Sequence, residues 1–143
     1  MSVFVDTGVF FAHHDVDATR HDEAVEAFDA LLEGRHGHPY TSDYVLDETV
    51  TLTRVRTGSF DAADTVARRI LGEDPFPSVF ETLPVEPDDV REALATFRRY
   101  RDHDLSFTDA TTVSLCESRG IDAVVSFDND FDGLIDRIEP GRG

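Results

Sequence analysis

Hydrophobic and polar positions follow one another in short blocks along the chain, and the period changes from block to block. Ser2 to Val5 is a brief apolar run closed by Asp6, the pattern of a buried strand. Residues 7–13 suit one helical turn or more. From Asp22 to Glu33 the apolar positions Ala24, Phe28, Leu31 and Leu32 recur at helical spacing, and Gly34 follows as a terminator. Arg35 to Pro39 reads as a loop and Tyr40-Thr41 as a short strand. Asp43 is placed to cap a helix running to about Arg56, with Gly58 behind it, and Ser59 to cap another ending at Gly72.

After a turn-rich break over Glu73 to Pro77, Val79 to Val85 reads as extended. Pro87-Asp88-Asp89 opens a helix to about Arg101. Ser106 or Thr108 caps a further helix that stops at Gly120. Ala123 to Phe127 is β-branched and apolar, a strand leading into Asp128-Asn129-Asp130, and Ile138 suits a last short strand. Strands separated by helices predict a parallel sheet of four or five strands with helices on both faces, a three-layer α/β/α arrangement.

Length fits this picture. At 143 residues the chain has the size of one domain, expected to span 1–143, and it carries 40% hydrophobic residues. Folding at that length buries roughly two-thirds of the unfolded surface, enough for a core without staples. A lone Cys116 excludes a disulfide framework and a Cys-rich zinc module and suits a reducing cytoplasm. No apolar run approaches the ~20 residues of a membrane span, and the first residues lack the basic start of a signal peptide. The expectation is a soluble cytoplasmic domain with no membrane partner.

Charge changes the picture less than its size suggests. Thirty acids face thirteen bases, giving −17, and every base is Arg. Such a surface ought to repel nucleic acid, because affinity for phosphate comes mainly from cations. Broad acidity without Lys also resembles the proteins of salt-loving archaea. At ~1 M salt the Debye length is about 3 Å, so a global field hardly reaches a ligand. Net charge therefore leaves the substrate open.

With so many carboxylates, only unusual placements carry chemistry. Asp6 ends an apolar strand and precedes Thr7-Gly8, and ligands of open α/β sheets bind beyond the carboxyl ends of strands. A helix cap is the plain alternative. Asp128 sits in the same way past the Ala123–Phe127 strand, where an Asx turn is the plain alternative. Asp109 lies in the first turn of its helix, where the dipole favours a carboxylate. On the helix from Asp43, the apolar arc is Val45, Leu46, Thr49 and Leu52. Asp47 points away from that arc, whereas Glu48 lies at its edge, partly desolvated. Glu48 is thus a candidate and Asp47 a surface acid.

Taken together, Val3-Phe4-Val5-Asp6-Thr7, Asp47-Glu48, Leu105-Ser106-Phe107-Thr108-Asp109-Ala110 and Val125-Ser126-Phe127-Asp128-Asn129-Asp130-Phe131 resemble a PIN domain, most nearly a VapC-type toxin ribonuclease. The resemblance covers nearly the whole chain. It implies a PIN-like fold and four acids gathered at the strand ends, holding Mg²⁺ or Mn²⁺ to hydrolyse RNA. Carried over, those acids are Asp6, Glu48, Asp109 and Asp128, with Thr7 and Asp130 as helpers. It further implies a homodimer and a small antitoxin partner. Hard carboxylate oxygens suit these cations, which would also offset the repulsion of RNA by the acids. Two other readings stay open: a PIN nuclease of RNA processing outside toxin–antitoxin systems, and a catalytically silent PIN-like binding module.

Several patterns compete. Asp128, Asp130, Asp132, Gly133 and Glu139 match a calcium EF-hand loop, but a strand enters it where a helix is required. Asp15-Val16-Asp17 imitates a phosphatase nucleophile motif without a strand before it. His36 and His38 lack the further ligands of a zinc site. His13 and His14, near Asp6 in sequence, are weak acid–base candidates. Phe10, Phe11, Phe28 and Phe97 read as core or interface aromatics, and Cys116 as a buried small hydrophobe.

Overall fold

The computed structural model describes residues 1–141. Five strands form one wholly parallel sheet: β1 (Ser2–Val5), β2 (His38–Ser42), β3 (Glu81–Leu83), β4 (Ala123–Val125) and β5 (Arg137–Ile138). Their order is β3-β2-β1-β4-β5, so the order reverses at β1. Such a reversal opens a crevice at the carboxyl edge, because the chain leaves neighbouring strands toward opposite faces. Val5 pairs with Val125, which sets Asp6 and Ser126 side by side on that edge.

Six helices cover the sheet: α1 (Thr7–His14), α2 (His21–Leu32), α3 (Asp43–Thr57), α4 (Phe60–Leu71), α5 (Pro87–Arg99) and α6 (Phe107–Arg119). The central strands are apolar on both faces, and Val3, Phe4, Val5 and Val124 are wholly buried. They meet Phe10, Phe28 and Phe80, whose rings pack edge to face at 5.0–5.8 Å. On the other side α6 buries Ala110 through Cys116 without interruption.

Local chemistry corrects several expected boundaries. Ser42, not Asp43, caps α3 by accepting from the Val45 amide; Asp43 instead accepts from the Val85 amide at 3.0 Å. Ser106, rather than Thr108, caps α6. Only Glu81–Leu83 of the expected 79–85 strand pairs, and β4 ends at Val125, although the Ser126 amide still donates to the Ile138 carbonyl at 3.2 Å. α5 stops at Arg99, and β2 begins at His38 within the expected loop. Gly34, Gly58 and Gly120 end helices with φ between 65° and 75°, where a Cβ would be strained. Among the described residues no helix is long and apolar enough to cross a membrane.

Candidate active site

The site grows out of the sheet's carboxyl edge. Asp6 leaves β1, α3 starts from the end of β2, and Ser126 to Asp128 leaves β4. α6 runs back toward the amino end of β4, so its own first turn, with Asp109, lies at the same edge. These elements enclose an open cavity of about 360 Å³ lined by Asp6, Thr7, Glu48, Ser106, Asp109 and Asp128, with Gly8, Leu52 and Phe127. The structure thus brings the four sequence-derived acids and Thr7 to one cavity, while Asp130 does not line it. Asp47 points to solvent.

Three of the four carboxylates are held by a neighbour. Asp6 occupies the cap position of α1 yet makes no side-chain cap bond. Its Oδ2 instead accepts from the Ser126 hydroxyl at 2.7 Å, and the same Ser126 oxygen accepts from the Asp128 amide at 2.9 Å. Asp128 forms the Asx turn anticipated for it, accepting from the Asp130 amide at 2.9 Å. Asp109 closes a capping box: its Oδ2 accepts from the Ser106 amide, and its own amide donates to the Ser106 hydroxyl, both at 3.0 Å.

Ser126 is the residue whose role the sequence hid. It is wholly buried, and one hydroxyl links two acids from different strand ends. Its signals were a small hydroxyl side chain interrupting the apolar run Ala123 to Phe127 and its place in the Val125–Phe131 motif. Ser106 was visible as a cap but not as a cavity wall.

The electrostatics follow from burial and crowding. Asp6 and Asp109 are only 6% and 8% exposed. Burial, and then the charge of Asp109, push the Asp6 carboxyl up to about 7, partly offset by the Ser126 bond. Burial likewise raises Asp109 to about 6, with Asp128 and Glu48 adding to the rise and Ser106 opposing it. The acids therefore feel one another across the cavity.

Among the described residues, no three His, Cys, Asp or Glu side chains converge into a ready-made metal-holding group. The carboxylates surround the cavity without closing a shell. The donor set nevertheless fits a hard divalent cation: the polar side chains lining the cavity offer only oxygens, the carboxylates repel one another, and the buried Thr7 Oγ1 lacks a hydrogen-bond partner.

The competing patterns are resolved by their surroundings. Asp132 is paired with Arg137 at 2.8 Å and Glu139 with Arg20 at 3.4 Å, and a strand enters the 128–139 loop. Asp15 accepts from the Asp17 amide at the exit of α1, far from any strand end. His38 bonds to Glu81 at 3.0 Å. His13 and His14 lie at the far end of α1 from Asp6; His13 stacks on Phe28 at 3.6 Å and His14 accepts from Arg69.

The family model of the PIN domain matches residues 3–135. The chain belongs to the PIN-domain family. The VapC ribonuclease of Archaeoglobus fulgidus is 25% identical over 132 residues, which are 92% of this chain and 80% of that protein. The 23S rRNA-specific endonuclease VapC20 of Mycobacterium tuberculosis is 30% identical over 129 residues, 90% of this chain and 91% of that one. The crystal structure of VapC20, described as a sarcin-ricin loop cleaving toxin, matches with a TM-score of 0.76 over 90% of this chain and 92% of that one. The FitAcB structure from Neisseria gonorrhoeae shares the fold, with a TM-score of 0.69 at 13% identity over 99% of both chains. By sequence and fold this PIN domain groups with the VapC-type ribonucleases.

Proposed function

We propose that this PIN domain is the toxin of a VapBC-type pair, an endoribonuclease that hydrolyses RNA phosphodiester bonds with Mg²⁺ or Mn²⁺. The observation that carries the reading is the meeting of Asp6, Glu48, Asp109 and Asp128 on one cavity, with Asp6 and Asp109 pushed up by burial and mutual repulsion. Buried acids crowded at such a cost to stability mark a functional site. Asp6 and Asp109 would be the principal ligands, and Glu48 and Asp128 would complete the set. The cation, when bound, lowers the pKa of water and offsets charge building up on the phosphate.

The remaining roles belong to the chain. Ser126 fixes Asp6 and Asp128 relative to one another through a single oxygen. Ser106 orients Asp109 and holds it against the first turn of α6. Thr7, with its hydroxyl unpartnered, is placed to donate to a phosphate oxygen. Leu52 and Phe127 supply an apolar wall that narrows the approach of water. Asp130, outside the cavity, serves through the turn its amide makes with Asp128.

A small antitoxin and a second copy of the chain complete the proposal, in a salty cytoplasm suited to the acidic surface. Val55 and Phe60 are 75% and 64% exposed beside a cavity of about 400 Å³ between α3 and α4, an apolar face that favours a protein partner. The test is to incubate the protein with total RNA in EDTA, Mg²⁺ or Mn²⁺ and map new 5′ ends. Discrete metal-dependent ends support the reading; the same ends with EDTA, or none with either metal, contradict it.

A further inference from the structure

In a chain with a large excess of acid, a run of exposed arginines without carboxylate partners leaves several guanidinium groups available to another anion. Arg20, Arg35, Arg68, Arg91, Arg119 and Arg137 are all in ion pairs, and Arg69 donates to His14. Among the described residues, Arg54 and Arg56 on α3 have no carboxylate partner and lie over the Phe60 and Phe11 rings. Arg98, Arg99 and Arg101 also lack one, and they are exposed. They fall within four residues at the end of α5, around the half-buried Tyr100.

The fold carries this cluster to the active-site edge. α5 and α6 pack antiparallel: Asp89 meets Arg119 at one end, and the Phe97 and Phe107 rings meet edge to face at 6.0 Å at the other. Phe107 follows Ser106, a wall of the acidic cavity. The Tyr100–His103 turn is closed by the His103 amide on the Tyr100 carbonyl at 2.9 Å. At most about 17 Å of extended chain separates Arg101 from Ser106.

Phe97, expected among core or interface aromatics, is 39% exposed on this rim. Tyr100 carries Arg99 above its ring at 5.3 Å and His103 against its edge at 5.4 Å. Cations free of carboxylates, interleaved with an aromatic ring, match the chemistry of a single-stranded nucleic acid: guanidinium on phosphate and ring on base. A two-fold axis passing through the strip itself would set the same cations against each other.

We infer that Arg98, Arg99 and Arg101, with Tyr100, form the track that holds single-stranded RNA beside the cleavage site. This rests on the ribonuclease reading and adds where the substrate runs. In salt, where long-range attraction is screened, such short-range contacts replace a basic surface.

The test is anisotropy of a labelled single-stranded RNA in EDTA, titrated with KCl. It compares wild type, the Arg98→Gln/Arg99→Gln/Arg101→Gln variant, Tyr100→Ala and the control Arg35→Gln. The triple variant is expected to bind about tenfold or more weakly at low salt, and its log K against log salt slope to fall by about 2, at ~0.7 per phosphate contact. Tyr100→Ala should weaken binding without changing the slope, and Arg35→Gln should match wild type. In Mg²⁺ the loss appears as a raised KM. Binding by the triple variant equal to wild type overturns the track, even if cleavage is confirmed. Lost antitoxin binding with RNA binding intact also overturns it and gives the strip to a protein partner. RNA binding through the track without cleavage leaves the track standing and removes the nuclease reading.

Discussion

At the level of single residues, the site trades stability for chemistry. Asp6 is buried beside other acids, so its charge costs the fold free energy. Asp6→Asn is therefore expected to raise the Tm of the protein in EDTA while abolishing metal-dependent cleavage; a lowered Tm would mean that the carboxylate is structural. Ser126→Ala removes the hydroxyl shared by Asp6 and Asp128. Loss of such a supporting bond typically costs about 10–100-fold in metal affinity or activity, read by metal titration of cleavage rate. Three of the acids were legible because each breaks a local pattern: Asp6 and Asp128 end apolar runs, and Glu48 edges an apolar arc; Asp109 was legible from its place in the first turn of its helix. Ser126 was not, since a serine after β4 signals nothing until the register of β1 and β4 sets it next to Asp6.

Among elements, the helix ends carry as much of the account as the helix faces. Ser106→Ala removes the cap of α6 and one anchor of Asp109, an expected loss of about 1 kcal/mol by urea unfolding together with reduced cleavage. α3 shows where the pattern misled. Its buried face is Val45, Thr49 and Thr53, and the two threonine hydroxyls bond back to the Val45 and Thr49 carbonyls at 2.7 and 2.8 Å. Thr53 was invisible to hydrophobic periodicity because its hydroxyl is satisfied within the helix itself. At the end of α1, burial and then Arg69 lower His13 to about 4, and its Nδ1 has no partner. A depressed histidine contributes stability above its unfolded pKa of about 6.5, and that contribution is lost as pH falls toward 4. His13→Phe should raise Tm, and by more at pH 5 than at pH 8; the comparison of the two proteins cancels the opposite slope of the raised acids. An equal gain at both pH values would contradict a neutral buried His13. The chain breaks and the order of elements were readable from Gly, Pro and caps, whereas the extent of β3 and β5 depended on pairing that no local pattern encodes.

On the scale of the whole molecule, a net charge of −17 sets like charges against each other over the surface. Raising KCl from 0.1 M to 1 M shortens the Debye length from about 10 Å to about 3 Å, so thermal unfolding should shift upward with salt. A Tm that falls or stays flat would argue against adaptation to a salty cytoplasm. The sheet order, by contrast, was not in the sequence: parallel strands separated by helices admit several orders, and only packing selects the reversal at β1 that makes the site. That reversal is what gathers acids spread from position 6 to position 128 onto one cavity. The most direct measurement is RNA cleavage in high KCl with EDTA, Mg²⁺ or Mn²⁺, comparing wild type with Asp6→Asn and Asp109→Asn. Wild type is expected to cut only with metal, and each variant to cut on the order of a hundredfold or more slowly. Cutting that survives in both variants would contradict that expectation.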